Sequence, residues 1–144
     1  MKIVSMTKEH LEGVLVVENN SFTNPWSEES FLSELEKETS INLVALKDEK
    51  VVGYAVLSTV LDEADLLDIA VDENFRRQKI ASALFEKIFE TALKRKLSFI
   101  TLEVRESSVP AIKLYQSRGF ETVGIRKNYY HKPTENAVLM TKYF

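Results

Sequence analysis

Leu66-Leu67-Asp68-Ile69-Ala70-Val71, then Asp72-Glu73-Asn74-Phe75-Arg76-Arg77-Gln78-Lys79, then Ile80-Ala81-Ser82-Ala83-Leu84: this stretch decides the fold. The first six residues are nearly all apolar, as in a buried strand. Asp72, Glu73 and Asn74 break the run. Beyond Arg76 and Arg77, Ile80, Leu84 and Ile88 recur every four residues, with Ala81, Phe85 and Phe89 beside them. That period predicts a helix from about Gln78 to Lys94. A strand that passes through a basic turn into a helix presents unpaired N–H groups and the positive end of the helix dipole. Two readings fit: a site for a multiply phosphorylated ligand, or a basic surface turn in an ordinary α/β protein.

Downstream, Ser98 to Arg105 alternates with period two, placing Ile100, Leu102 and Val104 on one face and Phe99, Thr101, Glu103 and Arg105 on the other. Val109 to Arg118 reads as a short helix with Pro110 near its first position and Gly119 as its C-terminal cap. Phe120 to Lys127 and Ala137 to Tyr143 read as strands joined by a loop from Asn128 to Asn136. Upstream, Lys2 to Met6 is a short strand, and Thr7 caps a helix with Leu11, Val14, Leu15 and Val17 on its apolar side, in which Gly13 is a weak point. Asn24-Pro25 marks a turn, and Ser27 with Ser30 caps a second helix from Glu28 to Lys37. Ile41 to Leu46 and Val51 to Val60 form a hairpin around Lys47-Asp48-Glu49-Lys50. Trp26, the only tryptophan, sits at the mouth of the Asn24-Pro25 turn, either as a staple fixing the start of the second helix or as a wall facing substrate.

The 144 residues are 44% hydrophobic and 28% charged, which predicts one globular domain over 1–144. A net charge of -3 argues against a broad nucleic-acid interface but leaves room for a local basic site. With no cysteine there is no disulfide and no thiolate chemistry. No signal peptide is expected at Met1 to Met6, and no apolar run is long enough to span a bilayer. His10 and His131 are the only histidines and have no ligand partners in the sequence, so no metal site is expected. Strands that follow one another as hairpins, with one βαβ unit at the basic turn, predict a mixed α/β sheet with helices on both faces.

In this setting the chain resembles the GNAT acyltransferases. Their signature is a strand, then Gln/Arg-x-x-Gly-x-Gly/Ala, then a helix, and the loop holds the pyrophosphate of acetyl-CoA. Arg76-Arg77-Gln78-Lys79-Ile80-Ala81 takes that place. Arg76 and Ala81 fit, and Lys79 stands where the first glycine usually is. A lysine can serve there if its backbone dihedral is ordinary. More narrowly, the chain looks like the bacterial ribosomal-protein-alanine N-acetyltransferases. The marks are Phe22-x-x-Pro25-Trp26-Ser27-x-x-x-Phe31, Leu66 to Val71, Leu102-Glu103-Val104-Arg105, Ala111-Ile112-x-Leu114-Tyr115-x-x-x-Gly119-Phe120 and Arg126-x-Asn128-Tyr129-Tyr130. Two departures stand out. Asp68 replaces an asparagine often seen before Ile-Ala-Val. Ser108 replaces an asparagine that usually starts the helix leading to Tyr115, and serine is an adequate cap.

The resemblance implies a central, mostly antiparallel seven-stranded sheet with about four helices on both faces. It implies a cytoplasmic enzyme that transfers an acetyl group from acetyl-CoA to the α-amine of an alanine at the N-terminus of a small-subunit ribosomal protein. No metal, membrane or direct nucleic-acid partner is implied. Glu103 would be the general base and Tyr115 the general acid. Ile69, Ala70 and Val71 would pair through their backbone with the pantetheine arm. Arg76, Arg77, Gln78, Lys79, Ile80 and Ala81 would face the pyrophosphate, with Ser108 also at the cofactor. Trp26, Asn128, Tyr129 and Tyr130 would flank the acceptor peptide, the tyrosines from the loop before the last strand. From the residues alone, Glu103 reads equally as a strand carboxylate paired with Arg105, Tyr115 as an aromatic packing residue, and Tyr129 and Tyr130 as exposed strand-end aromatics. A lysine or small-amine acetyltransferase, or an acyl-CoA-binding module without turnover, also remains open. The chemistry favours an α-amine: its pKa of about 7.7–8.0 leaves roughly a tenth neutral at pH 7, against under about a thousandth of a lysine at about 10.4.

Overall fold

The computed structural model describes all residues from Met1 to Phe144. Seven strands form one sheet: β1 (Lys2–Ser5), β2 (Ser40–Lys47), β3 (Lys50–Val60), β4 (Glu63–Val71), β5 (Phe99–Arg105), β6 (Glu121–Tyr130) and β7 (Glu135–Tyr143). Their spatial order is β1-β2-β3-β4-β5-β7-β6. Every neighbouring pair is antiparallel except β4 and β5, which run parallel because helix α3 (Ile80–Lys94) crosses over between them. The mixed, mostly antiparallel sheet is as the sequence predicts. Helices α1 (Leu11–Ser21) and α2 (Glu28–Leu35) lie on one face, against β2, β3 and β4. Helix α3 and helix α4 (Val109–Ser117) lie on the other.

Local chemistry sets the element ends. The Ser27 hydroxyl accepts from the Ser30 N–H at 3.2 Å, capping α2 as expected. Thr7 precedes a 3-10 turn over Lys8–His10, and its N–H donates to His10 Nδ1 at 2.9 Å. The Gly13 position is a close-approach site rather than a weak point: a Cβ there would lie 2.9 Å from Val51 Cγ2. Its bare Cα lets α1 settle onto β3. Gly119 has φ +90° and ends α4 as predicted.

The core is built on both faces of β3. Val52, Ala55 and Leu57 pack toward Ile80, Leu84, Phe85 and Ile88 of α3, while Val51, Tyr54 and Val56 pack toward α1 and α2. Full burial of each such aliphatic side chain contributes about 1.5–3 kcal/mol.

The β4 strand departs from simple alternation. Its register against β3 runs Leu57↔Leu66 and then Val56↔Asp68, so Leu67 is an extra residue. The bulge reverses which residues face which layer. Ala64 and Leu66 belong to the α3 side, and Ile69 and Val71 pack against that same side. Asp68 and Ala70 are instead turned under α1. The parallel ladder between β4 and β5 ends at the same point, after Asp65↔Thr101. Beyond it the two strands splay apart.

Candidate functional site

The splay leaves the edge of β4 from Leu66 to Val71 without a ladder partner toward β5, and opens two connected spaces. One is a cleft of about 380 Å³ between Leu66–Val71 of β4 and Leu102–Arg105 of β5, closed by Phe22, Asn24 and Trp26. The other is a groove of about 690 Å³ between Ile69–Val71, the basic turn with the first residues of α3, and α4. Ile69, Ala70, Val71, Arg76, Ser108, Ala111 and Tyr115 line both. The bulge and the splay therefore bring most of the predicted site residues to one junction.

The groove is cationic. Arg76, Arg77 and Lys79 line it, together with Ile80, Ala81 and Ser82. Helix α3 begins at Ile80, two residues later than its period predicts, because Arg77 (φ +65°) and Lys79 (φ +62°) are left-handed. Lys79 therefore does not meet the condition of an ordinary dihedral. It sits in the conformation that favours glycine, where a side chain raises the energy by about 1–2 kcal/mol. No side chain caps α3, so the N–H groups of its first turn are free to meet an anion. Ile80 is 2% exposed and offers only its backbone. Gln78 is outside the lining; its Oε1 accepts from Lys47 Nζ at 2.8 Å. Ser108 does not cap α4 with its side chain, contrary to its reading as a capping residue, so its hydroxyl is free at the junction. Three cations, a row of open N–H groups and an unpaired strand edge fit a long, pyrophosphate-bearing cofactor such as acetyl-CoA.

The cleft is lined by three carboxyl groups, Glu18, Asp68 and Glu103, together with Arg76 and Arg105. Helices α1 and α2 cover the β1–β4 half of the sheet, and the face of β5 that carries Glu103 and Arg105 is left more open. Glu103 pairs with Arg126 Nη1 at 3.5 Å and not with Arg105. Arg105 is committed elsewhere: it donates to Glu135 Oε1 at 3.0 Å and to the carbonyls of Pro133 and His131, and its guanidinium lies 4.5 Å from the Tyr130 ring centre. Asn128, Tyr129 and Tyr130 belong to β6 rather than to a loop, because pairing with β7 resumes at Tyr130↔Glu135 after an irregular stretch. Asn128 takes φ +51° there, and its N–H donates to Asn136 Oδ1 at 3.0 Å. Tyr130 lines the cleft, while Asn128 and Tyr129 stand outside it. A hydrogen bond to Glu103 holds the Tyr129 phenol above its usual range. Burial pushes Tyr130 up to about 12. Trp26 lines the cleft and packs against Phe31 at the start of α2, with ring centres 5.1 Å apart.

Tyr115 stands where cleft and groove meet, held edge-on by Phe85 (6.1 Å) and Phe120 (5.9 Å). Burial, and then the charges at Asp68 and Tyr130, push its pKa up to about 12.

Sequence reasoning missed a buried polar cluster beneath the cleft. Glu18 of α1 is 1% exposed. Its Oε1 accepts from Tyr54 Oη at 2.6 Å and its Oε2 from the Trp26 N–H at 2.9 Å. Asp68 is hydrogen-bonded to Glu18, and burial first, then that bond and the Glu18 charge, push it up to about 9. Its carboxyl is thereby pushed toward the protonated form. The signals were a glutamate on the apolar side of a helix and an aspartate inside an apolar run. Arg118 was also missed; it donates to the Ser82 hydroxyl in the first turn of α3, tying α4 to the groove.

Three comparisons bear on this geometry. The family model described as "Acetyltransferase (GNAT) family" matches residues 11–120. The [ribosomal protein bS18]-alanine N-acetyltransferase of Escherichia coli K12 is 37% identical over 142 residues, covering 96% of this chain and 94% of that protein. The enzyme of the same description from Haemophilus ducreyi is 34% identical over 144 residues, covering 98% and 99%. The crystal structure of the Escherichia coli ribosomal-protein-S18-alanine N-acetyltransferase superposes with a TM-score of 0.92 at 35% identity, over 99% of this chain and 92% of that one. The Ard1 structure from Thermoplasma volcanium also gives 0.92, at 28% identity over 99% and 96%.

Proposed function

The chain belongs to the GNAT acetyltransferase family, and on that footing we propose that it acetylates the N-terminal α-amine of an alanine, the acceptor being the ribosomal protein bS18. One observation carries this reading: a cationic groove and a carboxylate-lined cleft meet at Tyr115 and the open edge of β4. A donor with a pyrophosphate and an acceptor that arrives as a cation need those two opposite environments. The relatives at 34–37% identity name the acceptor.

Acetyl-CoA supplies the activated acetyl group as a thioester. Arg76, Arg77, Lys79 and the free N–H groups of α3 bind and orient its anionic end. The edge of β4 from Ile69 to Val71 holds the arm by backbone hydrogen bonds, as an added strand would be held, and an N–H of that edge polarises the carbonyl. Glu103, at the side of the cleft, takes the proton that the amine sheds. Tyr115, at the junction, donates a hydrogen bond to the departing sulfur. Trp26 and Tyr130 wall the acceptor channel. The reading places the enzyme in the cytoplasm, where ribosomal proteins are made; no helix is long and apolar enough to cross a membrane.

The test is release of free thiol from acetyl-CoA with two peptides. One has the bS18 N-terminal sequence with a free alanine; the other is the same peptide blocked at its N-terminus and carrying an internal lysine. Turnover is expected on the first alone. Turnover only on the blocked peptide would make the protein a lysine acetyltransferase, and none on either would overturn the acceptor assignment.

A further inference from the structure

We propose that Lys47 and Lys50, at the tip of the β2–β3 hairpin, form with Phe75 and Gln78 a second anion subsite beside the groove, which takes the phosphomonoester on the ribose of acetyl-CoA. The inference rests on the acetyltransferase reading. It adds a site that tells the full cofactor from one lacking that phosphate.

The hairpin tip and the basic turn meet at the carboxyl end of β4. Gly53 of β3 pairs with Val71, and the Asp72 N–H donates to the Val52 carbonyl at 2.9 Å. Lys47 and Lys50 are thereby laid against the turn. Lys47 Nζ donates to Gln78 Oε1 at 2.8 Å. It also lies 5.7 Å from the centre of the Phe75 ring, and Lys50 Nζ lies 5.2 Å from the same centre. Phe75 is itself part of the groove wall, beside Arg76, Arg77 and Lys79. Both ammonium groups therefore stand about one ring away from the groove.

This end of the sheet gathers positive charge in a chain whose net charge is -3. Lys47, Lys50, Arg76, Arg77 and Lys79 take part in none of the protein's ion pairs. The carboxylates nearby in sequence are engaged elsewhere or stand apart. Asp48 and Glu49 fill the hairpin turn with left-handed backbones, and Glu49 pairs with Lys2 of β1 at 3.2 Å. Asp72 accepts from the Asn74 N–H at 2.9 Å, and Glu73 is in no ion pair. Only neutral partners hold the two lysines, an amide oxygen and a ring face. Two like charges gathered on one ring, with no counter-ion, create a positive potential that an anion relieves.

The neighbouring groove narrows the class of anion. A phosphomonoester carries close to two negative charges at pH 7. Acetyl-CoA bears one on the ribose that is joined to its pyrophosphate. That molecule has two anionic centres separated by a sugar, and this chain has two cationic centres separated by a ring. Lysine suits the outer centre, because a compact ammonium on a flexible stem follows a charge at the solvent edge without fork geometry. The Lys47 bond also gives Gln78 its place: it ties the hairpin to the turn instead of facing the groove.

Titration calorimetry of the full chain with acetyl-CoA and with its 3′-dephospho form tests this. Wild type is expected to bind the dephospho form about tenfold more weakly, the scale of two exposed ion pairs. Lys47→Gln combined with Lys50→Gln is expected to bind acetyl-CoA about tenfold more weakly and the two forms alike. Its Tm should stay near wild type, since both side chains are exposed. Lys47→Arg with Lys50→Arg keeps the charge and is expected to keep the preference. Equal wild-type affinity for the two forms, or a glutamine variant that still prefers the phosphorylated one, overturns this inference alone. Inorganic phosphate separates the sources. Equal affinity for the two forms, together with a phosphate-induced rise in Tm that needs both lysines, would assign the subsite to free phosphate and overturn the cofactor assignment. A wild type that binds neither form overturns the acetyl-CoA reading, and this inference with it.

Discussion

Tyr115→Phe removes one oxygen from the junction and leaves the ring that packs on Phe85 and Phe120. Folding stability should therefore change by less than about 0.5 kcal/mol. The structure also says what kind of help the oxygen gives. A phenol at about 12 facing a thiol of about 8.5 leaves a gap of roughly 3.5 units, or about 4.8 kcal/mol at 1.36 kcal/mol per unit. An unperturbed phenol at about 10 would leave only about 2 kcal/mol. Complete proton transfer from Tyr115 is thus unfavourable, and the role proposed for it is a hydrogen bond to charge that develops on sulfur. Loss of one such preorganised donor lowers kcat by about 10²- to 10³-fold. Free-thiol release on the alanine peptide should show that drop, with acetyl-CoA affinity by titration calorimetry nearly unchanged. Because the phenol stays protonated to about 12, the wild-type rate should show no fall near pH 10 that the variant lacks. A kcat within twofold of wild type, or an alkaline limb near pH 10 abolished by the substitution, would refute the reasoning.

Lys79→Gly should raise the unfolding free energy by up to about 1 kcal/mol in urea, since it relieves the left-handed strain at φ +62°. It should also weaken acetyl-CoA binding and flatten its salt dependence; a less stable variant would mean that the strain is not there. Gly53→Ala would bring a Cβ to 3.0 Å from Ile80 Cγ2 and 3.2 Å from the Ala70 carbonyl. We expect a loss of about 1–3 kcal/mol and weaker cofactor binding through the displaced first turn of α3, both absent if the sheet simply relaxes. For pH, the raised Asp68 means that the folded chain holds a proton which the unfolded chain releases near pH 4. Its contribution is fully present below about pH 4 and is lost progressively as pH rises through about 9. Asp68→Asn should therefore be the more stable chain at pH 8, with the gap closing toward pH 4. Parallel stability curves for the two would contradict a neutral buried Asp68.

The legible parts were those in which one residue type has one physical meaning. The four-residue period of Ile80, Leu84 and Ile88, the Ser27 cap and Gly119 each fixed a local conformation, and all three are found. The illegible parts depend on partners far away in the chain. Nothing near Glu103 says that Arg126 and not Arg105 will pair with it, since that is decided by how β6 is laid beside β7. Tyr129 and Tyr130 look like loop residues because β6 is irregular from Lys127 to Tyr129, where pairing skips. The start of α3 moved because two left-handed residues, Arg77 and Lys79 on either side of Gln78, override the apolar period. Asp68 was read as a substitution in a motif, whereas its meaning lies in Glu18, fifty residues earlier in the chain.

The extra residue at Leu67 has a consequence for how this site would be found by mutagenesis. Almost any side chain can occupy the 67 position, which is 37% exposed, so a scan of substitutions would pass over it as neutral. What matters there is the count of residues, not their identity. Removing Leu67 would let β4 continue in step beside β5 and zip the junction shut, while Asp68 and Ala70, now in plain alternation with Leu66, would keep their side under α1. A deletion scan would therefore mark as essential a position that a substitution scan marks as free. The opening is written in the sheet as an odd number.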